Sequence, residues 1–335
     1  MRLDGGLMGN LHQVPARIRA LEQAGYDGAI TAETSNDPFF PLLLAAEHSE
    51  KIELMTSIAV AFARSPMNLA QIGHDLNAYS GGRFILGLGS QIKPHITKRF
   101  SMPWSSPAAR MRELILAMRA IWDCWYKGEK LEFRGEFYTH TLMTPMFIPP
   151  DATQGAPRVF LAAVGPLMTR VAGEVADGII AHGFTTARYL REVTLPAIDE
   201  GLERAGRARS EIEVACPVFV VCADDEETWL ERRRAVTRQI AFYGSTPAYK
   251  PVLDLHGWGA LQGELNRLSK QGKWAEMGTL ITDEILEQFA VVAEPHRVAG
   301  ELKKRFAGRI DRLFCTFSFA KQEDRRAAIE ELRAC

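Results

Sequence analysis

Apolar runs of strand length alternate with amphipathic helical segments along the first ninety residues of the chain. The apolar runs cover residues 2–7, 27–32, 52–60 and 84–88. The segments between them, 14–24, 38–47 and 66–79, repeat apolar residues at helical spacing. The run Phe-Ile-Leu-Gly-Leu at 84–88 is apolar on both faces, as a buried parallel strand must be. This alternation predicts repeated strand–helix units around a parallel sheet.

The alternation continues after a long helix predicted at 107–126. The further predicted strands are 159–164, 178–181, 213–222 and 313–317, and the further helices are 167–176, 187–205, 295–306 and 323–332. Two insertions interrupt it, one near 127–157 with a hairpin around Arg134 and Gly135, and a helical one near 225–290. Eight strands with interleaved helices predict an α/β fold, a single (β/α)8 TIM barrel over residues 1–335. An open doubly wound sheet is the alternative.

Composition narrows the class of ligand. The 335 residues are 47% hydrophobic and 24% charged, with a formal net charge of −1, so the chain has no basic field for nucleic acid or for an anionic membrane surface. It shows neither a signal peptide nor an apolar run of about 20 residues. The five cysteines form no C-x-x-C pair, which indicates a reducing cytoplasm and no metal site. We expect a small-molecule substrate.

The candidate chemistry lies where predicted strands end, because a barrel of this type carries its active site there. Glu33 ends an apolar strand, so it is a candidate general acid or ligand contact, or else a helix cap. His95 and His182 fall on two other rim loops. Gly165 and Pro166 form a turn that exposes backbone amides to a phosphate, or they form an ordinary tight turn.

Several familiar catalytic motifs are missing from the sequence. There is no G-x-S-x-G, no H-E-x-x-H and no cluster with metal-ligand spacing. Gly87-Leu88-Gly89 lacks the third glycine of a dinucleotide loop, because Ile92 occupies that place. The residues alone therefore indicate a barrel enzyme whose chemistry is carried by a bound organic coenzyme.

Six stretches of the chain resemble the luciferase-like monooxygenase superfamily, and specifically its F420-dependent branch. They are GYDGAITAETSNDPF (25–39), TSIAVAFARSP (56–66), SGGRFILGLGSQIKPH (80–95), RFSMPWSSPAARMRE (99–113), FYTHTLMTP (137–145) and AAVGPLMTRVAGEVADG (162–178). Each is weakly specific, but their order and spacing are typical of the superfamily. The resemblance to the superfamily is weaker over residues 225–335.

The resemblance implies a bacterial luciferase-like barrel with a flavin or deazaflavin at its mouth. It implies that a non-prolyl cis peptide between Ser57 and Ile58 supports the coenzyme ring and that the small residue Ala59 lets the ring approach. Gly89 and Ser90 would line the other side. Backbone donors to the phosphate or ribityl chain would come from four consecutive residues, Gly165, Pro166, Leu167 and Met168.

The function implied is that of a coenzyme F420-dependent oxidoreductase, in which hydride passes between the deazaflavin C5 and a small organic substrate. His95 or His182 would exchange the proton, since an unperturbed histidine pKa of about 6.5 suits that role. Phe62 and Trp104 are candidate apolar walls. Some relatives have a histidine after the acid of the second strand, but here Thr34 follows Glu33, which argues against a sugar-phosphate substrate.

Two alternatives remain at this point. The first is an FMN-dependent monooxygenase that relies on a separate flavin reductase, and the second is a non-catalytic flavin-binding protein on the same barrel. The resemblance also implies a homodimer. The insertion near 225–290 is expected to shape the substrate pocket.

Overall fold

The computed structural model describes residues 1–315, 317, 319 and 322–334. Eight parallel strands form the barrel: β1 (Arg2–Gly6), β2 (Gly28–Thr31), β3 (Glu53–Thr56), β5 (Phe84–Gly89), β8 (Arg158–Ala163), β9 (Gly178–Ala181), β10 (Glu213–Pro217) and β13 (Arg312–Phe314). A further short strand, β4 (Ala59–Val60), follows β3 and pairs with β5. The order around the sheet is β3-β2-β1-β13-β10-β9-β8-β5, and β3 pairs with β5 to close it. The predicted (β/α)8 barrel is therefore confirmed, and the open sheet is excluded.

Helices cover the outside of the barrel and form the longer insertion. Those before the insertion are α1 (Val14–Gln23), α2 (Phe39–Glu47), α3 (Pro66–Tyr79), α4 (Pro107–Lys127), α5 (Pro166–Val175), α6 (Ala187–Tyr189) and α7 (Leu195–Ala205). The insertion contains α8 (Glu226–Gly244), α9 (Lys250–Leu255), α10 (Gly259–Lys270), α11 (Trp274–Thr279) and α12 (Asp283–Phe289), and α13 (Val298–Phe306) and α14 (Gln322–Arg333) follow. A π-helical turn, Leu190–Thr194, joins α6 to α7, so the predicted helix 187–205 is continuous but locally widened.

The shorter insertion contains the predicted hairpin. Its strands, β6 (Phe133–Arg134) and β7 (Thr139–His140), pair in antiparallel fashion. Glu113 of α4 accepts three backbone N–H groups from residues 136–138, at 2.6–2.8 Å. These bonds fasten the turn of the hairpin to the outer face of the barrel.

Two predicted strands end earlier than their apolar runs. The run 52–60 is interrupted after Thr56 by a bulge at residues 57–58 before β4 resumes. The run 213–222 breaks after Pro217, which has no N–H to continue the ladder. The next strand, β11 (Phe219–Val221), leaves the barrel and pairs in parallel with β12 (Ala290–Val292), which the sequence analysis did not predict. The predicted strand 313–317 is observed as Arg312–Phe314, and Thr316 lies outside the described residues.

Side chains of the described residues fill the lower half of the barrel interior, next to the N-terminal ends of the strands. Arg312 is fully buried at the start of β13 and pairs with Asp4 (2.6 Å), Glu53 (2.5 Å) and Glu213 (3.4 Å). Above these ion pairs lies an apolar layer that includes Met55, Ile85, Phe160, Ile180, Ala215 and Phe314. Because side chains fill the N-terminal end of the barrel, a ligand is expected to enter from the C-terminal rim.

Three properties of the described chain bear on the predictions from composition. Four cysteines, Cys124, Cys216, Cys222 and Cys315, are buried free thiols, and Cys335 lies outside the described residues. Among the residues described, no helix is long and apolar enough to cross a membrane. Within the same residues, no group of three or more His, Cys, Asp or Glu side chains is arranged to hold a metal ion.

Candidate active site

A cavity of about 500 Å³ opens where strands β2, β3, β5, β8, β9 and β10 end. This is the rim that the barrel architecture predicts for a site, and the volume lies within the range of roughly 300–1,000 Å³ that small-molecule sites occupy. Small side chains from four strands line part of it: Ala32, Gly89, Ala162, Ala163 and Ala181. A flat ring can approach the backbone closely at such a surface.

The Ser57–Ile58 bulge forms one side of this cavity. The peptide bond between these two residues is cis, as predicted, and both residues line the cavity. The bulge is held by two backbone hydrogen bonds to the neighbouring strand β2 and its loop. The Ser57 N–H donates to the Thr31 carbonyl (2.6 Å), and the Glu33 N–H donates to the Ile58 carbonyl (3.2 Å).

Gly89 and Ser90 follow the bulge around the rim. A Cβ at Gly89 would lie 2.8 Å from the Ile58 Cδ1, so only glycine lets the Ile58 side chain rest against this strand end. Ser90 lines the cavity, and the next residue, Gln91, has a φ of 57° and lines it too. The structure therefore brings Ser57, Ile58, Gly89 and Ser90 together.

Glu33 also lines the cavity, but its carboxylate is bound on both oxygens. Arg64 donates to Oε2 at 2.7 Å and to Oε1 at 3.1 Å, and the Val60 N–H donates to Oε2 at 2.7 Å. The same guanidinium reaches Asp37 at 3.1 Å. Because both of its carboxylate oxygens accept these hydrogen bonds, Glu33 connects the loop after β2 to the segment that follows the bulge.

His182 lies at the end of β9 with both ring nitrogens engaged. Its Nδ1 accepts the Phe184 N–H at 3.0 Å, and its Nε2 lies 3.1 Å from the Tyr249 hydroxyl. The ring stacks on Tyr249 with a centroid distance of 4.4 Å and meets the edge of Tyr243 at 4.6 Å. Burial lowers the pKa of His182 to about 4, so the ring is neutral at physiological pH.

An aromatic wall, which no motif in the sequence indicates, completes the cavity. Phe219 comes from β11, Tyr243 from the end of α8, and Tyr249 from the single turn before α9. Tyr243 and Tyr249 belong to the insertion near 225–290, which therefore lines part of this cavity. The break Gly-Ser-Thr-Pro at 244–247 lies between the two tyrosines and was the available signal, because it ends α8 at the barrel rim.

The remaining predicted site residues lie elsewhere. His95 is exposed at the start of a π-helical turn, His95–Arg99, and Ala59 is fully buried in β4, so neither lines the cavity. The backbone at Gly165, Pro166, Leu167 and Met168 forms the start of α5 on the rim beside Val164, which does line it. The predicted apolar walls, Phe62 and Trp104, pack edge to face against each other with a centroid distance of 5.8 Å, and neither lines the cavity.

The cavity is almost uncharged. Of the described residues that line it, only Glu33 carries a formal charge at neutral pH, and Arg64 balances that charge. Arg99, which is not among the lining residues, donates to the carbonyl of the lining residue Thr34. A ligand part that enters this cavity is therefore expected to be neutral, because a buried charge needs a partner.

The structure is thus a (β/α)8 barrel with a cavity of small-molecule size at its rim, and a cis-peptide bulge bounds that cavity. The model of the luciferase-like monooxygenase family matches residues 2–312. This chain belongs to that family of enzymes.

Relatives in the family include proteins with and without a stated activity. An uncharacterized protein of Mycobacterium tuberculosis is 54% identical over 333 residues, which cover 99% of this chain and 98% of the relative. A 5,10-methylenetetrahydromethanopterin reductase of Archaeoglobus fulgidus is 26% identical over 84% of this chain and 82% of its own. An F420-dependent glucose-6-phosphate dehydrogenase of Intrasporangium calvum is 31% identical over 58% of this chain and 61% of its own.

Solved structures share the whole barrel at low sequence identity. The coenzyme F420-dependent tetrahydromethanopterin reductase of Methanopyrus kandleri superposes with a TM-score of 0.79, at 21% identity, over 99% of this chain and 96% of its own. The oxygenating constituent of a diketocamphane monooxygenase of Pseudomonas putida, solved with FMN, gives a TM-score of 0.65 at 17% identity, over 94% and 91% of the two chains. At these identities the likeness shows a shared fold.

Proposed function

We propose that this protein is a coenzyme F420-dependent oxidoreductase that acts on a small organic substrate at the C-terminal rim of its barrel. The observation that carries the proposal is the surface made by the Ser57–Ile58 bulge and Gly89. Its backbone and small side chains fit a planar tricyclic ring, and the cavity is large enough for a ring and a small substrate together. Two F420-dependent proteins among the relatives and solved structures support the choice of coenzyme.

The residues present divide into two groups around the bound coenzyme. Ser57, Ile58, Gly89 and Ser90 would hold the ring, and the start of α5 would hold the phosphate or ribityl chain. The N–H groups of Leu167 and Met168 in its first turn have no acceptor within the helix, because the first turn of any helix leaves its amides unpaired. Gly165 has no neighbouring atom within 4 Å of a Cβ position, so the approach to these amides is open.

When bound, the deazaflavin supplies a hydride donor or acceptor at C5, and the chain supplies everything around it. Glu33 acts as a positioning residue, because its carboxylate already binds Arg64 and the Val60 amide. His182, another residue predicted to be catalytic, lines the cavity. His95 has no contact with the cavity, and the proposal gives it no role.

FMN is the alternative coenzyme, because the same fold holds FMN in the Pseudomonas putida monooxygenase. The deciding experiment titrates purified apoprotein with F420 and with FMN in parallel and follows the quenching of each cofactor's fluorescence. Micromolar or tighter F420 binding with much weaker FMN binding supports the proposal. Preferential FMN binding would replace it with a monooxygenase that consumes oxygen. Binding of neither coenzyme would contradict both.

We also propose that the protein works as a homodimer in the cytoplasm. Phe40 and Leu43 of α2 are 61% and 43% exposed and lie one helical turn apart, so they form an apolar face that a second copy could cover. The four buried free thiols suit a reducing compartment. Sedimentation equilibrium would give a mass of about twice 37.3 kDa for a dimer, and Phe40→Glu should shift it towards the monomer.

A further inference from the structure

The hydrogen bonds around His182 fix the position of its ring proton. The Phe184 backbone N–H, 3.0 Å from Nδ1, can only donate, so Nδ1 must present its lone pair. Burial lowers the pKa of this histidine to about 4, so the ring is neutral and carries a single proton. That proton is therefore on Nε2.

The fixed proton on Nε2 in turn orients the Tyr249 hydroxyl. Nε2 lies 3.1 Å from the Tyr249 oxygen, so the histidine donates and the phenol oxygen accepts. The two rings also stack, with a centroid distance of 4.4 Å and an angle of 23° between their planes. The phenol keeps its own proton for another acceptor, and the described residues offer none within hydrogen-bonding distance. Since Tyr249 lines the cavity, that proton is available to a ligand there.

Tyr249 is also held in its protonated form. Burial, together with the neighbouring Tyr243, raises the pKa of Tyr249 to about 12. The hydroxyl is thus a permanent neutral donor at physiological pH. The other titratable groups that line the cavity are Glu33, paired with Arg64, and Tyr243, whose ring edge meets His182.

We propose that Tyr249 is a catalytic residue that exchanges a proton with the oxygen of an uncharged carbonyl or alcohol substrate, and that His182 is its positioning residue. This inference rests on the proposed F420-dependent function. It replaces His182 by Tyr249 as the group that touches the substrate, because both nitrogens of His182 are already engaged.

The reaction balances with the coenzyme as the second reactant. In reduction, the carbonyl carbon would gain a hydride from the reduced deazaflavin, and the carbonyl oxygen would take the Tyr249 proton. The C=O double bond would become a C–OH, the oxidised coenzyme would release one proton to solvent, and solvent would return one proton to the Tyr249 phenolate. Oxidation of the alcohol is the reverse. A neutral substrate follows from the lining, since no described lining residue is a cation that would balance a phosphate or a carboxylate.

The first test requires no coenzyme and no turnover. ¹⁵N NMR of histidine-labelled protein at pH 7 should show His182, assigned by its loss in His182→Gln, as the neutral tautomer protonated on Nε2. A signal from a ring protonated on Nδ1, or on both nitrogens, would overturn the orientation argument whatever coenzyme the protein binds.

The second test is a set of variants measured with F420 and with cyclohexanone, benzaldehyde and cyclohexanol as probes, beside glucose 6-phosphate. Tyr249→Phe should leave the F420 Kd within about twofold and lower kcat by about 10²–10⁴, the usual contribution of a positioned proton donor. His182→Gln should lower kcat less and change KM little. The matched control is Tyr126→Phe, which removes another histidine-bonded hydroxyl, 2.9 Å from His74 and outside the cavity lining, and should keep full activity.

The outcomes separate this inference from the proposed function. Failure of the wild-type protein to bind F420 refutes the proposed function and leaves the NMR result standing. F420 binding with no turnover of any neutral probe, or turnover of glucose 6-phosphate alone, overturns the substrate class. A Tyr249→Phe variant that keeps more than half of the wild-type kcat overturns the catalytic role of Tyr249.

Discussion

A Cβ atom placed on Gly89 would lie 2.8 Å from Cδ1 and 2.9 Å from Cγ1 of Ile58. These distances are shorter than any normal carbon–carbon contact, so the side chain that follows the cis bond can occupy its place only because residue 89 is glycine. The two residues belong to neighbouring strand ends, and both line the cavity. The shape of this side of the proposed ring site thus depends on the absence of a side chain at residue 89.

Gly89→Ala should weaken coenzyme binding by pushing the Ile58 side chain towards the cavity. We expect the Kd to rise about tenfold, which corresponds to roughly 1.4 kcal/mol, with an added cost to folding of about 1–3 kcal/mol for overpacking. Fluorescence titration with F420 and FMN measures the first effect, and urea unfolding measures the second.

Gly263→Ala is the matched control for this variant. Gly263 is exposed inside α10, and a Cβ there would meet no atom within 4 Å. The control should leave the Kd unchanged and raise stability by about 0.5–1 kcal/mol, as alanine does in helices. A Gly89→Ala variant that binds coenzyme as tightly as this control would show that the position of Ile58 is irrelevant to the site.

Gly165→Val tests whether the start of α5 contacts the coenzyme. The backbone at Gly165 is extended, with φ −96° and ψ 159°, and its Cβ position is open, so valine fits the free protein without a clash. Thermal unfolding should therefore stay unchanged, while the Kd of the coenzyme rises at least tenfold because the branched side chain covers the helix amides. Gly165→Ala should give an intermediate Kd. An unchanged affinity in both variants would remove this loop from the site.

Glu33→Gln distinguishes a positioning residue from a proton donor. The amide loses the charge that Arg64 and the Val60 N–H bind, so we expect a loss of about 1–3 kcal/mol of stability together with weaker coenzyme binding. Asp37→Asn is the control, because that carboxylate contacts the same Arg64 from a more exposed position, and it should cost less than about 1 kcal/mol. Full stability with lost turnover in Glu33→Gln would indicate direct participation in catalysis instead.

The barrel could be predicted from the sequence because its strands are apolar on both faces and its helices carry clear stop signals. The helix 66–79 was predicted with the bounds that the structure has, since Ser65 caps its first turn and Ser80 ends it. The strand 178–181 was likewise correct. The predictions were wrong where one apolar run serves two strands, as at Pro217, because hydrophobicity does not record which partner a strand pairs with.

Part of the cavity lining could be predicted from the barrel topology alone. Residues that directly follow barrel strands, such as Ser57, Ser90 and His182, are placed on the rim by the fold itself. Tyr243 and Tyr249 come from an insertion whose path depends on its own packing around Phe184 and Leu265, so no periodicity in the sequence points them to the cavity. The loop after Ser90 lines the cavity as far as Ile92 and leaves His95 exposed outside the lining, so the role of His95 stays a prediction.

Arg312→Met tests how much the buried ion pairs at the N-terminal end of the barrel stabilise the fold. The substitution leaves Asp4 buried without its partner, and it removes one cation from Glu53 and Glu213. We expect a loss of about 3–5 kcal/mol in the free energy of unfolding, or failure to fold. Arg2→Ala is the matched control: its side chain is 47% exposed and bridges Glu53 and Glu213 at 3.3–3.4 Å, so it should cost less than about 1 kcal/mol. Equal losses in the two variants would contradict a special role for the buried pair.

His182 predicts how the stability of the protein depends on pH. Its pKa is lowered by burial to about 4 in the folded state, whereas in the unfolded chain it has the ordinary value of about 6.5. Between these two values the unfolded chain binds one more proton than the folded protein at this residue. The free energy of unfolding therefore falls as pH drops through 6.5, by about 1.4 kcal/mol per pH unit and by roughly 3 kcal/mol at pH 4.

The measurement is urea unfolding of the wild type and of His182→Gln at intervals from pH 4 to pH 8. The glutamine variant cannot take up this proton. Below pH 6.5 its free energy of unfolding should therefore fall less steeply with pH than that of the wild type, by about 1.4 kcal/mol per pH unit. Above pH 7.5 the two curves should run parallel. Loss of the Phe184 and Tyr249 hydrogen bonds offsets the variant's curve by a constant without changing its slope. Equal slopes below pH 6.5 would mean that His182 is protonated in the folded protein as easily as in the unfolded chain, and the tautomer that orients Tyr249 would then lose its support.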